Sequence, residues 1–246
     1  DKDAADCPTN CLVAKDPYLA YARIATLFDP RPPVPPGIHP TAVVAESARL
    51  GRDVSVGAHA VIAESSRNGD GCVICPRGVI EADCSLGTGC RLYANVSIGY
   101  AVRIGERVII HPGAVIGADG FGIAFAGDHW EKVPQVGSVV IGNDCEIGAN
   151  SCVDRGALGD TVLEDDCRLD NLVQIGHNVI VGALTAIAAM GGAAGSAKIG
   201  RYCLLGGRAA VYGHHGIADR TTRAATRKVV KSISEPGVAL SGLIAA

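Results

Sequence analysis

An apolar side chain recurs every six residues through most of this chain. Ile38, Val44, Leu50, Val56, Ile62, Ile74, Ile80, Leu86, Leu92, Ile98, Ile104, Ile110 and Ile116 keep the beat, and only Asn68 breaks it. It returns at Ile141, Ile147 and Val153, slips by four residues, and resumes at Leu163, Leu169, Ile175, Val181, Ile187, Ala193, Ile199, Leu205, Val211 and Ile217. An α-helix repeats at about 3.6 residues and a strand at 2, so neither sustains a period of six. The pattern predicts an all-β fold, a parallel β-helix in which three hexads make one triangular coil and stacked coils bury a column of Ile, Val and Leu.

Glycine often follows the beat, as at Gly51, Gly57, Gly87, Gly105, Gly142 and Gly200. The expectation is that these glycines supply positive φ for tight turns between short strands. Ahead of the solenoid, residues 1–37 read as a separate piece. Asp16-Pro17 is a helix start, followed by apolar spacing at Leu19, Ala20, Ile24, Leu27 and Phe28. The run from Asp29 to Gly37 is too rich in proline for helix or central strand and reads as a linker. The β-helix is expected over 38–231, with a tail at 232–246.

Between Ile116 and Ile141 the beat stops at Gly117-Ala118-Asp119-Gly120-Phe121-Gly122 and a stretch containing Asp128-His129-Trp130-Glu131-Lys132. A solenoid expels insertions as loops, and loops on a rigid scaffold are where function concentrates. This one carries the single tryptophan and two of the three phenylalanines, Phe121 and Phe125, which could cover an apolar ligand or pack on their own coil.

Ten cysteines invite a disulfide or zinc reading, yet Cys72, Cys84, Cys90, Cys145, Cys167 and Cys203 all lie four residues after a beat position. A repeat slot for small side chains accounts for them, and Cys72 with Cys75 lacks the second pair a zinc site needs. The net charge of −3 argues against nucleic-acid binding. Arg220, Arg223, Arg227, Lys228 and Lys231 form a local exception, either a solvated end or a docking place for an acidic partner. The uncharged stretch from Val179 to Ala197 is long enough for a membrane span, but the beat runs through it, so no transmembrane segment is expected. The opening Asp1-Lys2-Asp3 lacks the apolar run of a leader, and a cytoplasmic protein is the expectation.

Residues one coil apart stack about 4.8 Å from each other. Eighteen-residue steps join His177, Gly195 and Gly213, with His214 next in sequence. A neutral imidazole is a natural general base, and a glycine N–H can approach a developing oxyanion without side-chain obstruction.

Several runs are more specific than the beat. They are Asp154-Arg155-Gly156-Ala157-Leu158, Asp170-Asn171, Gln174-Ile175-Gly176-His177-Asn178, Ala194-Gly195-Ser196, Ile199-Gly200-Arg201-Tyr202, Gly213-His214 and Glu235-Pro236-Gly237-Val238. With Gly117 to Gly122 and Lys15 to Ala22, they resemble the UDP-3-O-(3-hydroxyacyl)glucosamine N-acyltransferases of lipid A synthesis, over about residues 11–242. The resemblance implies a homotrimer of left-handed β-helices with active sites between subunits. It implies transfer of a 3-hydroxyacyl chain from acyl carrier protein to the glucosamine 2-amine of UDP-3-O-acyl-glucosamine. By it, His177 is the general base, the Gly195 amide stabilises the oxyanion, and His214 orients the nucleotide sugar. Asp170, Asn171, Gln174, Asn178 and Phe121 are the expected substrate-binding residues. No metal or cofactor is implied beyond the phosphopantetheine thioester of the carrier protein as co-substrate.

Against that family pattern, the part of the uracil-holding lobe present in this sequence is expected to be a single helix, and helices that engage the carrier protein are not expected within the few residues from Ser241-Gly242 to Ala246. Weakened nucleotide binding is therefore expected. Arg223 falls on the beat, so either the last coil frays or the acyl pocket differs, and Lys228 in the channel would disfavour a long chain. Two other readings stand beside the acyltransferase. One is a catalytically impaired structural trimer. The other is a γ-type carbonic anhydrase, whose three histidines His111, His177 and His214 do not match in coil registry.

Overall fold

The computed structural model describes residues 6–30 and 32–239. The chain forms two compact units, Asp1–Val34 and Pro35–Ala246. In the first, helix α1 spans Pro17–Ala25, and the Asp16 carboxylate caps it by accepting from the Leu19 N–H at 2.9 Å. A 3-10 turn, Thr26–Phe28, follows. The termini Asp1-Lys2-Asp3 and Ser241-Gly242 lie outside the described residues.

The second unit is a parallel β-helix with three long faces of eleven, ten and nine strands, most of them two residues long. On the first face Arg91-Leu92 pairs with Val73-Ile74 below and Ile109-Ile110 above, a step of one coil each way. The beat residue is the inward member of each pair. Ile62, Ile80, Leu92, Ile98, Ile110, Ile116, Ile147, Leu163 and Ile175 are fully buried. Burying each such side chain contributes roughly 1.5–3 kcal/mol before the entropy of ordering is subtracted. The stretch Val179 to Ala197 is part of this solenoid, contributing strands Ile180–Val181, Ala186–Ile187 and Gly192–Ala193. Among the described residues no helix is long and apolar enough to cross a membrane.

The corners correct the reading of glycine. Positive φ falls three residues after the beat, where non-glycine residues such as Asp53, Arg77, Asn150, Asn178, Ser196 and His214 sit at φ of 55–62°. Of the glycines that follow the beat directly, only Gly117 has positive φ. Their role is close approach between coils. A β-carbon on Gly87 would come within 2.7 Å of the Gly105 backbone, and one on Gly182 within 2.6 Å of Gly200.

Two insertions disturb the ladder. Ile104 pairs with Ile141 and Ile116 with Val153, so the first insertion lengthens one coil to 37 residues. It leaves as an antiparallel hairpin, Ile123–Phe125 against Trp130–Lys132. Phe125 and Trp130 pack on each other at 5.0 Å between centroids and stay largely exposed. Ile141 then pairs with Leu163 and Val153 with Ile175, a coil of 22 residues whose extra length forms the segment 154–160. The two insertions hold each other: Val136 and Gly137 N–H donate to Ala157 and Gly156 carbonyls at 2.9 Å, and Arg155 donates to the Gly137 carbonyl at 2.8 Å.

Strand pairing runs past Lys231. Ile233 bridges to Ile217, and Val238–Ala239 pairs with Thr222–Arg223. Arg223 is therefore in a closed coil and not a frayed one. It lines a cavity of about 230 Å³ with Thr221, Ile233, Gly237 and Val238, and its Nε is buried without a partner.

Candidate active site

His177 follows the second-face strand Gln174–Ile175 and begins the corner toward the third face. Its Nδ1 lies 3.1 Å from Asn178 Oδ1. The Asn178 amide is oriented by two groups of the 154–160 segment: its Nδ2 donates to the Gly159 carbonyl at 2.7 Å, and its Oδ1 accepts from the Ala157 N–H at 3.0 Å. The atom facing the ring is thus an acceptor, so in the neutral ring Nδ1 carries the hydrogen and Nε2 has the free lone pair. That Nε2 lies over Gly195 of the next coil, since a β-carbon there would come 2.5 Å from it. Only glycine leaves room for the imidazole.

The N–H of Gly195, the glycine against the imidazole, has no cap. At several other corners the N–H two residues after the beat is taken by a polar side chain of a neighbouring coil. Arg52 donates to Asp70 Oδ1, Glu106 to Asn143 Oδ1, Ala149 to Asn171 Oδ1 and Arg201 to Asp219 Oδ1, all at 2.7–2.9 Å. At Gly195 the equivalent position of the following coil is Gly213, which has no side chain to offer, and the Gly195 N–H makes no hydrogen bond among the described residues. The coils are joined here through the next residues instead, Ser196 N–H to the His177 carbonyl at 2.8 Å and His214 N–H to the Gly195 carbonyl at 3.1 Å. His214 is exposed on the same corner, two coils from His177.

Asp154 belongs to this neighbourhood and is absent from the substrate and catalytic residues expected from sequence. Burial pushes its carboxyl above the usual range, against the opposing pull of Gln174 and His177 beside it. Gln174 is on the outer side of the second face. Above it the outward column continues with Gly192, Ala210 and Lys228, so Lys228 is exposed three coils away. Phe121 tops the Gly120–Phe121–Gly122 turn, in which Gly122 N–H donates to the Gly120 carbonyl at 2.9 Å, and it is 83 % exposed. Gly120 packs on His177, because a β-carbon there would lie 2.7 Å from the histidine Cβ.

Asp170 and Asn171 stand apart from this cluster, at the corner between first and second faces. Asp170 Oδ2 accepts from Ala189 N–H at 3.0 Å and Asn171 Oδ1 from Ala149 N–H. They line a cavity of about 490 Å³ whose wall includes His111, Glu146 and Arg168. Glu146 lies 2.7 Å from His111 Nε2 and accepts from Arg168 at 3.2 Å, and the Tyr93 ring stacks on His111 at 5.2 Å. His111 and His177 thus serve different surfaces of the chain. Among the described residues no three His, Cys, Asp or Glu side chains are grouped to hold a metal. In the basic cluster, Arg220 covers the Tyr202 ring at 4.5 Å.

A histidine beside an uncapped glycine N–H stands on a corner of this parallel β-helix, the repeat architecture of the hexapeptide transferases. The profile of bacterial transferase hexapeptide repeats (six repeats) matches residues 83–118. UDP-3-O-acylglucosamine N-acyltransferases are similar along nearly the whole chain. That of Pseudomonas fluorescens is 48 % identical over 98 % of this chain and 68 % of its own length. That of Bordetella pertussis is 50 % identical over 92 % and 64 %, and that of Herminiimonas arsenicoxydans 48 % over 92 % and 65 %. The chain belongs to the UDP-3-O-acylglucosamine N-acyltransferase family, and it spans about two thirds of the length of these relatives. The fold matches the Arabidopsis UDP-N-acetylglucosamine acyltransferase with a TM-score of 0.72 at 24 % identity, over 82 % of this chain and 72 % of that one.

Proposed function

We propose that this chain transfers a 3-hydroxyacyl group from the thioester of acyl carrier protein to the 2-amine of UDP-3-O-acyl-glucosamine. The observation that carries the reading is the pairing of His177 Nε2, free as an acceptor, with the uncapped Gly195 N–H one coil away. His177 Nε2 removes a proton as the amine attacks the thioester carbonyl. The oxygen of the tetrahedral intermediate takes the Gly195 N–H, a donor already in place and needing no reorganisation. Collapse expels the carrier thiolate, which takes the proton from the imidazolium, so amine and thioester become amide and thiol. Asn178 holds the ring in the reactive tautomer. His214 and Gln174 face the nucleotide sugar, and Phe121 closes over the bound chain. The small side chains of Gly192 and Ala210 beside Gln174 leave room for an acyl group on the outer face.

The separation of Asp170 and Asn171 from His177 supports a trimer, because a second copy can bring its Asp170 corner to the His177 corner of the first. The outward positions fit such packing. Val43, Val61, Val79 and Val115 line the second face, and on the third Val140, Val162 and Ile180 stand among Arg49, Arg67, Arg103 and Lys198. A carrier-protein donor also supports a cytoplasmic location.

Amide formation from 3-hydroxyacyl carrier protein and the 3-O-acylated UDP-glucosamine, followed for wild type and His177→Ala, tests the reading. Turnover that disappears in the variant is expected. A folded trimer of wild type without turnover would leave a scaffold in its place.

A further inference from the structure

Gln135 is 8 % exposed, and its Oε1 is buried with no hydrogen-bond partner. Its Nε2 donates to the Val133 carbonyl at 3.0 Å, which fixes the end of the amide that is oxygen. The side chain lies under the Gly120–Phe121–Gly122 turn. A β-carbon on Gly120 would come 2.7 Å from Gln135 Oε1 and 2.7 Å from His177 Cβ, and one on Gly122 would come 2.5 Å from Gln135 Nε2. One glycine therefore separates the orphan oxygen from the base. Among the described residues, the other buried side chains with unpaired polar atoms are Asn68, in a regular coil before the insertions, and Arg223, in the last coil.

A buried amide oxygen without a donor is costly, and such groups persist where something outside the free protein completes them. An amine that attacks a thioester brings more than one hydrogen, and the base takes only one. A hydroxyl on either substrate would also serve. We propose that Gln135 Oε1 is a substrate acceptor, taking a hydrogen bond from a hydroxyl or amine hydrogen of the ligand held against His177. The Gly120–Phe121–Gly122 turn is the part that yields to admit that hydrogen, with Phe121 at its tip moving over the ligand. This assignment rests on the reading of His177 as the base of an acyl transfer to an amine.

The test compares wild type, Gln135→Leu and Gln135→Glu with carrier-protein donors of equal chain length, with and without a hydroxyl at C3. If the hydrogen comes from the acyl chain, Gln135→Leu loses about tenfold or more in kcat/KM with the hydroxylated donor and less than about twofold with the plain one. If it comes from the sugar, KM for the UDP-aminosugar rises about tenfold with either donor. Gln135→Glu keeps an acceptor oxygen and is expected to retain most of the wild-type preference. A fall in kcat shared by both donors with both KM values unchanged marks a packing residue and overturns the proposal. Absence of turnover in wild type would count against the proposed function alone. Calorimetric binding of the UDP-aminosugar and of a 3-hydroxyacyl-pantetheine to wild type and Gln135→Leu then decides. Roughly tenfold weaker binding of either ligand sustains the acceptor role, and equal affinities for both refute it.

Discussion

The coils before Ile116 and those after it are built from the same hexad, yet they do different work. Up to Ile116 every coil has the same length, each ladder step is eighteen residues, and the corners use standard parts. After it, coils of 37 and 22 residues push out two loops that interlock through Val136, Gly137, Ala157 and Gly156. The regular half stores stability. The interrupted half uses that stability to hold His177, Asn178 and Gly120 in one place, which a two-residue strand could not do unaided. Irregularity here is therefore confined to the turns and leaves the buried column intact.

The largest expected effect belongs to the interrupted half. His177→Ala should lower kcat by about 10²–10⁴-fold with the melting temperature nearly unchanged, measured by amide formation and thermal unfolding. A comparable loss of stability instead would make the histidine a structural part.

Glycine-to-alanine substitutions separate the halves more sharply. Gly195→Ala puts a methyl against the imidazole and should cost about 10²-fold in kcat with little change in stability. Gly87→Ala meets the Gly105 backbone at 2.7 Å, where nothing flexible can give way. It should cost roughly 1–3 kcal/mol in denaturant unfolding and leave the kcat of the remaining folded protein alone.

In the regular half, Asn68 buries both amide atoms without partners between Leu50 and Leu86. Asn68→Leu should raise stability by about 1–3 kcal/mol, read as a higher urea midpoint. A lower midpoint would show that the amide is satisfied in solution, by water.

The smallest effect is that of Asp154→Asn. Burial raises the Asp154 carboxyl above its ordinary 3.8, so the folded protein binds this proton more tightly than the unfolded chain does. The group favours folding below 3.8 and opposes it increasingly as pH rises through the raised value. The substitution should therefore stabilise at neutral pH, with the gain shrinking as pH falls toward 3.8. A gain independent of pH in urea unfolding would contradict this.

What could be read from the chain follows the same division. The inward column, the three faces and the stacking of His177 on Gly195 need only a fixed period, and the sequence displays it. Asp154 escaped because eighteen-residue arithmetic pairs it with Leu172, whereas the 22-residue coil sets Cys152 beside Gln174 and brings Asp154 up to Gln174 and His177. The glycines after the beat read as turn formers because their constraint comes from a neighbouring coil, invisible in local conformational preference. Gln135 left no mark on the pattern at all, since an amide inside a loop becomes conspicuous only when its partners are counted. Asp170 and Asn171 lie seven and six residues from His177 in the chain yet on another corner.

The small slots four residues past the beat have a last consequence, for chemistry in an oxidising medium. Cys72, Cys84, Cys90 and Cys145 each give their thiol hydrogen to a main-chain carbonyl at 3.1 Å, as the hydroxyls of Ser66 and Thr185 do at 2.7 and 2.8 Å. In these positions sulfur stands in for a hydroxyl as a backbone clasp. Burial pushes the Cys84 thiol up to about 11, far from the thiolate that peroxides and disulfides attack. These slots can therefore exchange cysteine for serine or threonine without touching the site, and they do not share one thiol chemistry, since hydrogen bonds from the Cys90 and Cys167 thiols of the next coil lower the thiols of Cys72 and Cys145.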